Sequence, residues 1–138
     1  MYRRIVVGYD GSKAARKAFD AALELAAKHG AELHVLSVAR PSEIGDDVET
    51  EAVIEHSRAH HRRLLAELKA SAATKQVKAH YEVAVGHPAE QIIYHADRVD
   101  ADLVVVGDRG RSNFTRLLLG SVSKQVTEHA GRPVLVVR

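Results

Sequence analysis

Short apolar runs, rich in β-branched residues, alternate with longer segments of helical period along the whole chain. The five apolar runs are residues 5–7, 33–38, 79–83, 103–106 and 134–137. Strands that alternate with helices are typical of βαβ units and a parallel sheet. The first, fourth and fifth runs are almost entirely apolar, as expected of strands that are buried on both faces. The pattern therefore predicts a doubly wound α/β sheet with helices on both faces.

Apolar periodicity between the strands predicts four helices. The first lies between Ser12, which can cap a helix, and Gly30, which can end one. The second is predicted to run from about Glu49 to Ala72. The third begins at Pro88, because proline is tolerated at the first helical position, and the fourth begins near Gly120.

Length and composition fit one domain over residues 1–138. The 20 basic and 18 acidic side chains nearly balance, so nothing indicates a nucleic-acid or membrane partner. The sequence has no cysteine, which excludes disulfides, thiolate metal sites and cysteine nucleophiles and fits a reducing compartment. Neither a signal peptide nor a membrane span is evident, and we predict a cytoplasmic location. The acidic segment 40–51 is predicted to be a loop.

Glycine and hydroxyl residues cluster after the fourth apolar run. Gly107 and Gly110 precede Gly120, which is followed by Ser121 and Ser123 at the start of a predicted helix. Glycine lets the backbone approach a ligand closely, and the N–H groups of a first helical turn bind anions. The same residues also fit a strand end, a turn and a helix cap without any ligand. Physical reasoning alone leaves both interpretations open.

The spacing G-x2-G-x9-G-S from Gly107 to Ser121 resembles the signature of the ATP-binding branch of the universal stress protein (UspA-type) family. Residues 5–12, 86–89 and 132–137 also resemble that family, and the match is weakest over residues 40–78. The resemblance implies a five-stranded parallel sheet that is Rossmann-like and adenine-nucleotide alpha-hydrolase-like. It also implies strand order 3-2-1-4-5.

The resemblance further implies a nucleotide pocket between the loop after the first strand, the end of the second strand and the glycine-rich loop. In such proteins the position matching Asp10 lies beside the nucleotide, and the one matching Val38 offers backbone groups to adenine. The stretch from Gly107 to Ser123 cradles ribose and phosphates. The predicted binding residues are Gly8, Tyr9, Asp10, Val38, Gly107, Arg109, Gly110, Gly120, Ser121, Val122 and Ser123. Asp10 also fits a plain turn or cap residue.

The implied ligand is ATP with Mg²⁺, with AMP, another adenine nucleotide or a cyclic nucleotide left open. The implied function is a nucleotide-dependent regulator in stress response. Asp10 and Asp108 are the plausible carboxylates near the pocket, whereas an ATPase needs a positioned base and metal ligands. We therefore predict no catalytic residue and at most slow ATP hydrolysis. Asp108 is unusual at its position and either weakens binding or helps to hold Mg²⁺.

Two alternatives to the regulator remain, a nucleotide-free dimeric interaction module and a genuine slow ATPase or phosphotransferase. A homodimer is a separate prediction, because the strand at residues 134–137 would be an exposed apolar edge in a monomer. Proteins of the family that this chain resembles commonly pair antiparallel through that strand.

Four histidines are candidate functional residues. His56 and His60 stand four residues apart on the second helix, a spacing that can bind a metal from one face, but no third ligand is evident. We expect a solvated face there and predict no metal site. His61 falls on the apolar stripe and is predicted at the edge of the core. His87 is expected either to cap the third helix or to approach the pocket.

Overall fold

The computed structural model describes residues 1–40, 51–109 and 119–138. The strands in these residues are β1 (Arg4–Gly8), β2 (Glu32–Ala39), β3 (Ala79–Val85), β4 (Leu103–Gly107) and β5 (Val134–Val137). They form one parallel sheet in the order β3-β2-β1-β4-β5. The predicted fold class, strand positions and strand order are confirmed, and no predicted strand end is off by more than two residues.

The helices in the described residues are α1 (Lys13–His29), α2 (Glu51–Ala66), α3 (Lys69–Thr74), α4 (Pro88–Val99) and α5 (Ser121–His129). The prediction of one continuous helix to Ala72 is wrong, because α2 ends at Ala66. Leu68 is fully buried, and its N–H bonds to the carbonyl oxygen of Leu65 at 3.0 Å, so the chain tightens into a three-residue turn there. Residues 49–50 and most of the predicted loop lie outside the described residues.

The ends of α1 match their sequence signals. Ser12 is the N-cap, and its Oγ accepts a hydrogen bond from the N–H of Ala15 at 3.1 Å. Gly30 is the C-cap with φ of 63°, a left-handed conformation that glycine adopts without the steric cost of a Cβ atom. Both predicted caps are confirmed.

The sheet separates two apolar layers. On one face α1 and α2 pack on the strands through buried residues such as Phe19 and Leu65. On the other face α4 and α5 pack through residues such as Ile92 and Val126. From β1 the chain moves outward to β2 on one side and later returns to β4 on the other, so β1 and β4 form the switch point of the sheet. Within the described segments, no helix has the length and apolar character needed to cross a membrane.

The four candidate histidines occupy different environments. His56 and His60 are exposed on α2, as a solvated face requires. His61 is fully buried rather than at the core edge, and its Nδ1 lies 2.6 Å from the Oγ of buried Ser37. His87 is the N-cap residue of α4, which was one of the two predicted alternatives, but its side chain makes no cap hydrogen bond.

Candidate functional site

A cavity of about 290 Å³ opens at the carboxyl ends of β1, β2 and β4. Ten of the eleven predicted binding residues line it, and the eleventh, Gly110, lies outside the described residues. His87 is not among the lining residues, although Pro88 beside it is. The sequence reasoning missed six further lining residues, namely Ala15, Leu36, Arg40, Pro88, Ile92 and Val106. The cavity thus lies at the switch point, where open α/β sheets generally bind ligands.

The walls of the cavity divide into an apolar and a polar set. Leu36 and Val38 alternate on β2 and therefore share one face of the sheet, where Val106 and Ile92 of the α4-side core also lie. Polar lining comes from the segments after the strands and from α5, namely Asp10, Arg40, Arg109 and Ser121. A cavity with these two kinds of lining can hold a flat apolar ring and an anionic group together.

The first turn of α5 forms one wall of the cavity. Its N-cap, Gly120, is extended and has no side chain to bond the turn, and the first helical hydrogen bond runs from the Lys124 N–H to the Gly120 carbonyl oxygen at 3.0 Å. The N–H groups of residues 121–123 precede that bond and have no partner within the helix. Such a helix start favours an anion, because N–H groups and the helix dipole both attract negative charge.

Backbone contacts hold this helix start against β4. The Gly120 N–H donates to the carbonyl oxygen of Asp108 at 2.7 Å. The buried hydroxyl of Ser123 lies 2.9 Å from the same oxygen and 3.0 Å from the carbonyl oxygen of Gly120. The Ser123 hydroxyl therefore fixes the loop ends in this structure, whereas the sequence reasoning expected it to face a phosphate. Ser121 is exposed at the cavity.

The two candidate carboxylates have different surroundings. Asp10 lines the cavity, and its Oδ1 accepts a hydrogen bond from the Ser12 N–H at 2.9 Å, so it also serves as the turn residue that its position allowed. Asp108 is buried, its Oδ2 lies 3.7 Å from Nε of Arg109, and it is not among the lining residues. The Asp108 carboxylate therefore does not line the cavity, and its effect on nucleotide or Mg²⁺ binding stays a prediction.

Tyr9 lines the cavity, but its ring belongs to the core. The ring packs edge-on against Phe19 with the centroids 6.4 Å apart, on the α1 side of the sheet. Burial raises the pKa of the Tyr9 phenol, while Arg16 opposes that shift and Glu67 adds to it. The phenol is therefore protonated at neutral pH. Its neighbours Arg16 and Glu67 belong to the helical layer rather than to the cavity lining.

Gly107 is a glycine for reasons of packing. A Cβ atom there would lie 2.7 Å from the backbone carbon and 2.8 Å from the carbonyl oxygen of Ala14, so α1 approaches the end of β4 too closely for any side chain. At Gly8 a Cβ atom would meet only the Cδ1 end of the Ile92 side chain, at 2.8 Å. Packing against α1 therefore explains the glycine at the end of β4 without any ligand.

Comparison with known proteins gives a consistent family assignment. The family model described as the universal stress protein family matches residues 1–138. Universal stress protein YxiE of Bacillus subtilis is 36% identical over 153 aligned positions, covering 100% of both chains. Among solved structures, universal stress protein UspA from Lactobacillus plantarum has a TM-score of 0.86 at 29% identity, covering 99% of this chain and 98% of its own.

A second solved relative carries a ligand. It is a universal stress protein in complex with cAMP, with a TM-score of 0.79 at 30% identity, covering 99% of this chain and 97% of its own. The match of the family model over the whole chain, the identity to YxiE and the shared fold agree. This chain belongs to the universal stress protein family.

Proposed function

We propose that the cavity binds an adenine nucleotide, ATP with Mg²⁺ in the first place, and that the chain is a nucleotide-dependent regulator in stress response. The observation that carries the proposal is the cavity at the switch point of the sheet, closed on one side by the first turn of α5. The relative that was solved with cAMP supports an adenine nucleotide as the ligand class.

Each wall of the cavity would contact a different part of the nucleotide. Adenine is a flat ring with apolar faces, and the lining side chains of Leu36, Ile92 and Val106 would give it apolar contacts. The backbone of Val38 would bond its edge, as the family resemblance implies. The phosphates would lie at the first turn of α5, with Arg40 and Arg109 contributing positive charge. A volume of about 290 Å³ is at the small end for ligand sites, so part of the nucleotide would extend into solvent.

A regulator fits this cavity better than an efficient ATPase. Of the carboxylates in the described part of the chain, only Asp10 lines the cavity, and it is bonded to the Ser12 N–H. Phosphoryl transfer requires a positioned water or base together with metal ligands, which one engaged carboxylate supplies poorly. Mg²⁺ would be held mainly by the phosphates and water, as is usual for this ion. We expect steady-state turnover below about 1 s⁻¹, the low end for enzymes.

The sharpest test places a negative charge where the phosphates are expected. Ser121 is exposed, lines the cavity and is the first residue of α5. Ser121→Glu should weaken ATP binding, measured by calorimetry, by about tenfold or more, because about 1.4 kcal/mol of repulsion suffices. An acidic side chain at a helix N-terminus favours the helix, so the same change should not lower the thermal stability.

The matched control is Gln125→Glu, which adds the same charge to the exposed face of α5 away from the cavity. This control should bind ATP as the wild type does. Titrations of AMP and cAMP alongside ATP identify the preferred nucleotide. Absence of binding for all three nucleotides would contradict the proposal and favour the interaction module. Turnover well above about 1 s⁻¹ would contradict the regulator instead.

A further inference from the structure

Metal-ligating side chains meet at the opposite end of the sheet from the cavity. Glu32 and His34 are two residues apart near the start of β2, so they lie on the same face of that strand. His80, near the start of β3, is the direct partner of His34 in the parallel register. His34 also contacts His95 of α4, which identifies the face as the one that α4 covers. Two imidazoles and one carboxylate thus converge from adjacent strands.

The distances between these groups approach those of a metal site. One ligand atom from each of Glu32, His34 and His80 lies within 4.8 Å of the other two. His34 Nε2 is 3.9 Å from Glu32 Oε2, and His80 Nε2 is 3.8 Å from Glu32 Oε1. Around a tetrahedral Zn²⁺ with bonds of about 2.0 Å, ligand atoms lie roughly 3.3 Å apart. The two contacts to Glu32 involve different carboxylate oxygens and would have to shorten by about half an ångström. With all three ligand atoms within 4.8 Å of one another, side-chain rotations that bring no pair closer by more than about 1.5 Å would close such a site.

His34 gives an independent indication of a ligand. Its Nε2 is buried and has no hydrogen-bond partner among the described residues. A buried polar atom without a partner is costly, and a bound metal ion would remove that cost by accepting the nitrogen lone pair.

We infer that Glu32, His34 and His80 form a binding site for a first-row divalent transition-metal ion, Zn²⁺ above all. Imidazole nitrogens and a carboxylate are ligands that Zn²⁺ prefers, and water would complete four-coordination. The open side faces solvent, because His80 is exposed and β3 lies at the edge of the sheet.

Two sets of charged groups surround the proposed site: Lys78, which pairs with Glu32, and Glu82 with Arg98, which hold His95. Nζ of Lys78 lies 3.1 Å from Glu32 Oε1, so Zn²⁺ would replace this ammonium as the counter-charge of Glu32. Behind His34, the ring of His95 is held by Glu82, whose Oε2 is 3.1 Å from its Nδ1 and 2.6 Å from the Arg98 guanidinium. This network fixes the ring that packs against His34 and is left intact when the ion binds.

The test is a calorimetric titration of Zn²⁺ alone into untagged protein that has been treated with a chelator and contains no nucleotide. His80→Ala should weaken binding by at least about tenfold, because losing even a hydrogen-bond partner of a ligand lowers metal affinity about 10–100-fold. Lys78→Met should strengthen binding by about two- to fivefold, the equivalent of removing one exposed ion pair that competes for Glu32. Both positions are exposed, and circular dichroism will verify that the variants are folded.

The matched control is His56→Ala combined with His60→Ala, which removes two exposed histidines of α2 that could also attract the ion. This control should retain the wild-type affinity. The inference is overturned if the wild type binds no Zn²⁺, if His80→Ala binds as tightly as the wild type, or if the α2 control loses the binding. A Lys78→Met variant with weaker binding would likewise contradict the assigned role of Glu32.

Discussion

Gly107 and Ser121 belong to the same sequence signature, yet the structure gives them different tasks. Gly107 is needed because the backbone of Ala14 leaves no room for a Cβ atom. Ser121 is exposed beside the cavity, and no such packing constraint governs its side chain. Loss of nucleotide binding in a Gly107 variant would therefore indicate that α1 is displaced. Loss in a Ser121 variant would indicate that the ligand lies beside this residue. The signature therefore combines a glycine that the packing of α1 requires with a serine that is exposed at the cavity.

Gly107→Ala should lower stability whether or not a nucleotide is present. We expect a loss of about 1–3 kcal/mol in the free energy of unfolding, as for overpacked sites, because the added Cβ atom meets backbone rather than a flexible side chain. Urea denaturation measures the change. Gly8→Ala is the matched control, since its Cβ atom meets only the end of the Ile92 side chain and should cost less. Equal losses in the two variants would contradict this explanation.

Asp102 gives the fold a pH-dependent contribution at the start of β1. Its Oδ2 accepts hydrogen bonds from the N–H groups of Arg4 at 2.9 Å and Arg3 at 2.6 Å, and these bonds lower the pKa of the carboxyl group. Because the folded-state pKa is lower than the unfolded one, the stabilisation is complete above the ordinary Asp pKa. It is lost as the pH falls through the folded-state value.

Asp102→Asn should therefore destabilise the protein by about 1 kcal/mol at neutral pH, the difference between charged and neutral hydrogen bonds at a half-buried site. The gap to the wild type should shrink in acid and vanish below the folded-state pKa of Asp102. Urea denaturation across this pH range measures both. Asp100→Asn is the control, because Asp100 is exposed, its ion pairs are 3.8 and 3.9 Å long, and Asn tolerates its left-handed backbone. A pH-independent gap for Asp102→Asn would refute the assignment.

At the scale of elements, one buried polar contact connects α2 to the sheet. Ser37 of β2 and His61 of α2 are both fully buried, and Ser37 Oγ lies 2.6 Å from His61 Nδ1. Ser37→Ala should lower the free energy of unfolding by about 1–3 kcal/mol, because the imidazole loses this partner inside the protein. The control is Ser71→Ala in α3, where a half-buried hydroxyl meets Arg16 at 3.2 Å and should cost less than about 1 kcal/mol. Similar losses for both variants would contradict the importance of the buried contact.

The strands and most helix ends were predictable because their signals are local. Short apolar runs between helical segments indicate the strands, and Ser12 and Gly30 mark the ends of α1. The break after α2 was missed because Leu65, Leu68 and Ala72 continue an apolar pattern across it. The break depends on how Leu68 is buried, which is a tertiary property. The meeting of His34 and His80 was missed as well, since only the register between β2 and β3 brings them together.

At the scale of the whole molecule, the cavity residues also divide into those that a sequence signal predicts and those that depend on tertiary packing. Residues that directly follow β1 and β4 were predicted from the family resemblance, and they meet because parallel strands place their carboxyl ends at one edge of the sheet. Ile92 and Pro88 come from α4, whose position over the sheet follows from packing rather than from any local motif. Arg40 follows β2 directly. It could have been predicted, because ligands bind beyond the carboxyl ends of the strands and β2 is a neighbour of β1.

Strand β5 forms an outer edge of the sheet, and we predict that two copies of the chain pair there. Within the described residues β5 pairs only with β4, and Leu135 is among the exposed large apolar side chains. An unpaired apolar edge favours pairing with a second copy, and lysine on an edge strand opposes such pairing. The wild type should therefore have twice the 15.1 kDa chain mass in light scattering. Leu135→Lys should raise the dissociation constant of the dimer by about tenfold or more, the equivalent of about 1.4 kcal/mol.

Tyr94→Lys supplies the matched control for this prediction, because it also replaces an exposed apolar side chain by lysine, but on α4 rather than on the edge strand. It should leave the dimer intact. If Tyr94→Lys dissociates the dimer while Leu135→Lys does not, the interface lies on the helical face and β5 stays an uncovered edge. A monomeric wild type at every concentration would refute the dimer itself.

Because β5 also pairs with β4, whose end carries the first residues of the cavity loop, a dimer through β5 would join two cavities through one continuous sheet.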